Sequence, residues 1–167
     1  MEDRELALLF RKELDEMGFC SKFQELWRED FTRTELIDLY RRGIEYCIEH
    51  DWPSVEFIKN HFSRDMLRKG RVYVDDDFGF VDGESGVYVF NGTSNGTVNF
   101  ERFDTATIYV RHNSNVVINA GGLSRVFVEV YDNSSVTINQ KDVAVAFVYM
   151  RSGNATLKTD GNVRIRR

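Results

Sequence analysis

The sequence predicts an α+β protein of two domains, an N-terminal α-helical bundle followed by a short β-solenoid. Three observations predict it. Residues 1–68 carry apolar side chains at helical spacing, and residues 69–167 alternate apolar and polar side chains at strand spacing. Between Ser85 and Lys158 the pattern also repeats every 20 residues. A fixed period of this size is typical of a solenoid in which each repeat is one coil stacked on its neighbours.

The first two of four expected helices lie before residue 30. The first is predicted from an apolar stripe and ends at Gly18, since glycine commonly follows the last helical turn. The second begins at Ser21, which forms a capping-box pattern with Gln24. The stripe of the first helix consists of Leu6, Leu9, Phe10, Leu14 and Met17.

The third and fourth helices complete the predicted bundle. Thr32 and Glu35 form a second capping-box pattern, which opens a longer helix with apolar residues as far as Ile48. Pro53, the only proline, suits the first turn of the fourth helix because that turn needs no backbone N–H donor from it.

The solenoid is expected to have about five coils of roughly 20 residues, right-handed by the usual chirality of crossover connections. Each coil contains two short strands joined by corners rich in Gly, Asn, Ser and Asp. The inward positions recur with the period, except that Leu157 comes one residue early. They are Tyr88, Ile108, Val128 and Val148; Phe90, Val110, Val130 and Met150; and Val98, Ile118, Ile138 and Leu157.

The outward positions of the two strands differ in character. On the second strand they are polar, as in Thr97, Asn99 and Thr137. On the first strand they are largely apolar and aromatic, and such a strand is covered on both sides. The helical bundle folds back over these residues, or they form a homodimer or partner interface, or the bundle covers some coils and a partner the rest. The predicted interface residues are Val87, Val89, Tyr109, Phe127, Phe147 and Tyr149.

Charge and composition argue against several classes of protein. The net charge of −5 disfavours electrostatic binding of nucleic acid, and the basic cluster Arg164, Arg166 and Arg167 is expected to keep the last coil soluble. No apolar run approaches the ~20 residues of a membrane span. Without a signal-peptide pattern, we expect a cytoplasmic protein whose Cys20 and Cys47 are reduced, with Cys47 in the core.

The motifs of phosphate loops, zinc sites and serine hydrolases are missing from the sequence, so neither an enzyme nor a cofactor is predicted. The weak metal candidates are Asp75, Asp77 and Asp82, which lie in an acidic corner over residues 75–84. Clustered carboxylates can bind calcium or act on carbohydrate. A solvated corner that blocks stacking beyond the first coil explains the same residues.

A second candidate site follows from the stacking of neighbouring coils. The period brings Arg111, Tyr131 and Arg151 into register at one corner, where they could form a cation–π ladder. Such a ladder would recognise an acidic or aromatic group. Stabilisation of the surface is the other interpretation.

Two stretches together carry a resemblance to known proteins. One is Glu35–Ile44 running on to Asp51–Ser54, and the other is the coil Val128–Thr137 with its Tyr-Asp-Asn-Ser-Ser-Val corner. The pairing resembles small proteins of gut Bacteroidales and of their phages and mobile elements. The resemblance covers nearly the whole chain, rests on structural motifs, and implies an accessory protein that engages a host factor or assembles with itself.

These observations favour a non-enzymatic module for protein interaction or assembly that acts through the aromatic side of the solenoid. Two other hypotheses remain open at this point. One is a small carbohydrate- or calcium-binding protein that uses the acidic corner, and the other is a structural homo-oligomer.

Overall fold

The computed structural model describes residues 1–19 and 21–167. The chain divides into two compact units, Met1–Gly70 and Arg71–Arg167. Cys20, which the sequence predicts to be a reduced thiol, lies outside the described residues. The described part of the first unit contains six helices: α1 (Asp3–Glu16), α2 (Ser21–Glu25), α3 (Arg33–Arg42), α4 (Ile44–Glu49), α5 (Val55–His61) and α6 (Arg64–Lys69).

The expectation of four helices is wrong because the third is divided and a sixth follows α5. The capping box that opens α3 is confirmed: the Thr32 side chain accepts from the Glu35 N–H, and the Glu35 carboxylate accepts from the Thr32 N–H at 2.9 Å. Gly43 ends α3 and precedes α4, since glycine is a weak helix former. The helix predicted to continue to Ile48 is therefore interrupted.

The start of α5 also differs from the prediction. Ser54 caps this helix, with its Oγ accepting from the Phe57 N–H at 3.1 Å, so Pro53 lies before the cap and not in the first turn. Aromatic rings pack beside this start: the Phe10 ring is 5.0 Å from that of Trp52 and 5.4 Å from that of Phe57. The longest helix in the described ranges has 14 residues, and none has the length and hydropathy of a membrane span.

The second unit is a parallel β-solenoid of about five turns, as the repeat predicts. Successive strands alternate between an odd-numbered sheet, in the order β1-β3-β5-β7-β9-β11, and an even-numbered sheet, in the order β10-β8-β6-β4-β2. The strands, all within described residues, are β1 (Val72–Val74), β2 (Asp77–Asp82), β3 (Gly86–Asn91), β4 (Asn95–Phe100), β5 (Thr105–Val110), β6 (Asn115–Ala120), β7 (Arg125–Val130), β8 (Ser135–Gln140), β9 (Val145–Met150), β10 (Thr156–Asp160) and β11 (Val163–Arg166).

Pairing between the middle coils follows the 20-residue period. Ile108 pairs with Val128 and Ile118 with Ile138, and all four side chains are fully buried between the sheets. The prediction that Leu157 stacks in the column of Ile138 is wrong. Leu157 pairs with Val136, and Thr159 occupies the position beside Ile138, because the last full coil contains one extra residue.

The corners between coils are held by ladders of side-chain acceptors. His112 lies in the left-handed region at φ 58°, and its Nδ1 accepts from the Gly92 N–H at 2.9 Å. The His112 N–H donates in turn to the Asp132 carboxylate at 2.8 Å, so each coil satisfies a donor of the coil before it. Ser94, Ser114 and Ser134 are buried beneath the same corners and donate to backbone carbonyls.

We expect His112→Val to destabilise the solenoid more than His112→Asn does. Valine removes the acceptor for the Gly92 N–H and places a β-branched residue at positive φ, at a cost of about 2–3 kcal/mol. Asparagine keeps an acceptor and tolerates this conformation, so its cost stays below about 1 kcal/mol. Urea unfolding followed by far-ultraviolet circular dichroism measures the free energy of unfolding of both variants. An equal decrease in the two would contradict a stabilising role of the acceptor ladder.

Candidate interaction face

The predicted interface residues lie on the outward side of the odd-numbered sheet, which we call the aromatic face. Two columns of paired residues run across the coils of this sheet. The first contains Val87, Thr107, Phe127, Phe147 and Arg164, and the second contains Val72, Val89, Tyr109, Glu129, Tyr149 and Arg166. The structure therefore places the six predicted residues on the same side of one sheet.

Exposure of the aromatic face increases toward the C-terminal coils. Val89 is fully buried and Tyr109 is 6% exposed, whereas Phe127, Phe147 and Tyr149 are only half-buried. The Phe127 and Phe147 rings stack with centroids 5.2 Å apart and planes 4° from parallel. Val87 and Thr107 are half-buried as well, but both columns of the face are accessible together only on β7, β9 and β11.

The even-numbered sheet presents a different outward surface. Its columns contain Thr97, Val117 and Thr137 beside Asn99, Asn119 and Asn139. The Asn139 amide donates to the Asn119 Oδ1 at 2.9 Å, so these polar groups satisfy one another along the solenoid. The predicted contrast between a polar and an aromatic side is present in the structure.

The predicted ladder of Arg111, Tyr131 and Arg151 is replaced by a cluster centred on Glu129. Arg151 donates two hydrogen bonds to this carboxylate, at 2.7 and 3.2 Å, and the Tyr131 hydroxyl donates a third at 2.9 Å. The Arg151 guanidinium lies 5.2 Å from the centroid of the Tyr149 ring, so its cation–π partner is Tyr149.

Arg111 takes a separate position in the same corner region. It is buried, and its guanidinium donates to the Asn91 Oδ1 at 3.5 Å. The three predicted residues therefore share a register and do not form one recognition site. Their contacts favour stabilisation of the solenoid surface over recognition of an acidic or aromatic ligand.

The Glu129 cluster changes the proton affinity of two of its members. Burial raises the pKa of Tyr131 well above its usual range, and the hydrogen bond to Glu129 raises it further. The hydrogen bond to Glu129 likewise raises the pKa of Arg151. The Glu129 side chain is only 13% exposed, and its charge is balanced within the cluster.

The acidic corner does not gather the predicted metal candidates. The Asp75 carboxylate accepts from the Thr93 N–H at 2.9 Å, and Asp77 and Asp82 stand at opposite ends of β2. That separation is roughly 16 Å for a six-residue strand. Within the described residues, no group of three His, Cys, Asp or Glu side chains is arranged to hold a metal ion.

Asp82 and Glu84 line an open concavity at the other end of β2. Glu101, Asp104 and Arg102 complete its charged lining. Arg71 pairs with Glu84 at 3.1 Å, and Lys141 pairs with Glu101 at 3.7 Å. Part of the negative charge of this corner is thus already neutralised by the chain itself.

Sequence reasoning missed an exposed apolar ridge at the corners that lead into the odd-numbered sheet. Phe103, Leu123 and Val143 occupy the same corner position on three successive coils and are 80%, 49% and 67% exposed. Their spacing of 20 residues is the signal that identifies them. Val143 lies two residues before Val145, the first residue of β9, so the corner ridge adjoins the aromatic face along the chain.

Comparison with family models, with curated proteins and with solved structures finds no match for this chain.

The Glu129 cluster predicts a loss of stability at alkaline pH that depends on Tyr131. Folding raises the pKa of this hydroxyl, so its contribution is complete below about pH 10, the unfolded value, and is lost as the pH rises above it. Between pH 9 and 11 the wild type should lose about 1 kcal/mol more than Tyr131→Phe, allowing for solvent screening. Denaturant unfolding at both pH values measures this difference, and parallel losses would contradict it.

Proposed function

We propose that this protein is a non-enzymatic interaction module that binds a protein partner through the aromatic face. The observation that carries the proposal is the outward side of β9, where Val145, Phe147 and Tyr149 occupy every position. The outward positions of β8, the preceding strand in the other sheet, are Ser135, Thr137 and Asn139. The two strands both carry buried apolar side chains at their first two inward positions and differ in the chemistry of their outward positions.

The composition of this surface supports binding of a protein rather than catalysis. Aromatic side chains are enriched at the centres of protein interfaces because they add large apolar area with few rotatable bonds. The stacked Phe127 and Phe147 rings are held by pairing of their strands, so they are ordered before a partner arrives. The adjoining corner ridge extends the apolar surface.

Several finer predictions accompany this proposal. The helices of the first unit are proposed to form a bundle, and the solenoid is proposed to be right-handed, in agreement with crossover chirality. A cytoplasmic location, and a role as an accessory protein of Bacteroidales phages or mobile elements, stay predictions based on the sequence. In that setting the partner would be a host factor.

The proposal is tested with two variants that differ in the sheet they alter. Phe127→Ser with Phe147→Ser removes the centre of the aromatic face, and Val117→Ser removes an outward apolar side chain from the even-numbered sheet as a matched control. Each purified full-length chain is immobilised and exposed to extract of the source organism. We expect a protein that the wild type and the control retain and that the double variant loses.

Retention of the same proteins by all three chains would contradict the proposal. Circular dichroism checks that the double variant is folded, because loss of two half-buried phenylalanines costs stability as well as contact area. Phe147→Tyr provides a milder variant, which keeps the ring stack and is expected to retain binding.

A further inference from the structure

The accessible part of the aromatic face is basic, and this property indicates the chemistry of its partner. Its outward positions on β7, β9 and β11 include three exposed arginines, Arg125, Arg164 and Arg166. The Arg164 guanidinium lies 5.3 Å from the centroid of the Phe147 ring. Arg125 pairs with Val145 and Arg166 with Tyr149, so the arginines surround the aromatic residues.

These positive charges are not balanced locally. Glu129 is the only carboxylate among the outward residues of β7, β9 and β11 in the described chain, and it is bound to Arg151 and Tyr131. Within residues 1–19 and 21–167, none of the three arginines forms a salt bridge. A cationic surface therefore lies on a protein whose net charge is −5.

This charge disfavours pairing of the face with a second copy of itself. A twofold dimer brings the same surface of each copy together, so two surfaces with an excess of positive charge would face each other. Like charges across an interface cost binding energy and select against that partner. Opposite charge on a different protein removes this cost and strengthens the encounter.

We propose that the partner binds the aromatic face through an acidic extended segment that presents both carboxylate and apolar side chains on one side. This inference rests on the proposed function. Its Asp or Glu side chains would pair with Arg125, Arg164 and Arg166, and its apolar side chains would pack on Phe127, Phe147 and Tyr149. Alternate residues of an extended chain are about 6.6 Å apart, which is also the spacing of two successive outward residues such as Arg164 and Arg166.

Arginines beside aromatic rings also bind single-stranded nucleic acid, so a protein segment must be distinguished from a nucleic acid as the ligand of this face. The apolar centre of the face favours the protein segment, because every nucleotide carries a charged phosphate, whereas a peptide can place apolar side chains between its carboxylates. The experiment therefore compares a peptide with a single-stranded oligonucleotide.

The experiment measures fluorescence anisotropy of a labelled decapeptide, Glu-Ser-Glu-Ser-Leu-Ser-Leu-Ser-Glu-Ser, titrated with the full-length protein. Its Glu and Leu side chains share one side of the extended chain. The comparison probes are the peptide with Gln in place of Glu and a short oligothymidylate. We expect the Glu peptide to bind about tenfold more tightly than either. Added salt should weaken binding of the Glu peptide and leave the affinity for the Gln peptide nearly unchanged.

Charge reversal tests the named residues. A triple variant that combines Arg125→Glu, Arg164→Glu and Arg166→Glu should bind the Glu peptide about tenfold or more weakly than the wild type does. Arg102→Glu with Lys158→Glu reverses exposed charges outside the aromatic face and should leave the affinity within about twofold. All substituted side chains are exposed, so each variant is expected to fold.

Three results would overturn the inference: no preference for the Glu peptide over the Gln peptide, tighter binding of oligothymidylate, or equal effects of the two charge-reversal variants. A wild-type dimer in light scattering that Phe127→Ser with Phe147→Ser dissociates would also overturn it, since the partner would be a second copy. The proposed function fails separately, when the phenylalanine variant retains every protein that the wild type binds.

Discussion

The backbone pairing of each strand with the strand one coil further on is the constraint on which the rest of the solenoid depends. These parallel hydrogen bonds join β3 to β5, β5 to β7 and β7 to β9 at an offset of 20 residues. Because side chains alternate along a strand, a fixed offset sorts every residue into an inward or an outward column. Burial of the inward columns then stabilises the stack, and the outward columns become its surfaces.

The chemistry of the odd-numbered sheet follows from this sorting. Stacking places Phe127 against Phe147, and it also places Glu129 between two tyrosines, where a lone carboxylate would be poorly solvated. Arg151 and Tyr131 supply the missing counter-charge and donors, so the acidic interruption of the face is neutralised. The arginines at the margins have no such carboxylate, and for this reason the accessible surface is both aromatic and cationic.

The period was sufficient to predict the solenoid, the inward columns and the contrast between the two outward sides. Register errors arise where a coil departs from 20 residues, as at Leu157, because one extra residue shifts the pairing. In the helical unit, the propensity pattern does not show that Gly43 divides a helix. Stacking also predicts that Arg111, Tyr131 and Arg151 share a column, but the partner of a long side chain depends on its rotamer, and Arg151 reaches Glu129 instead.

The measurement that tests the 20-residue stacking most directly is disulfide formation between single cysteines introduced on neighbouring coils, with Cys20 and Cys47 replaced by serine and alanine. Asn119→Cys with Asn139→Cys places both thiols in one outward column, where the native amides are hydrogen-bonded at 2.9 Å. Asn119→Cys with Ile138→Cys places them on opposite faces of the sheet. We predict rapid intramolecular oxidation of the first pair and none of the second; equal rates, or oxidation of the second pair alone, would contradict the register from which both surfaces are derived.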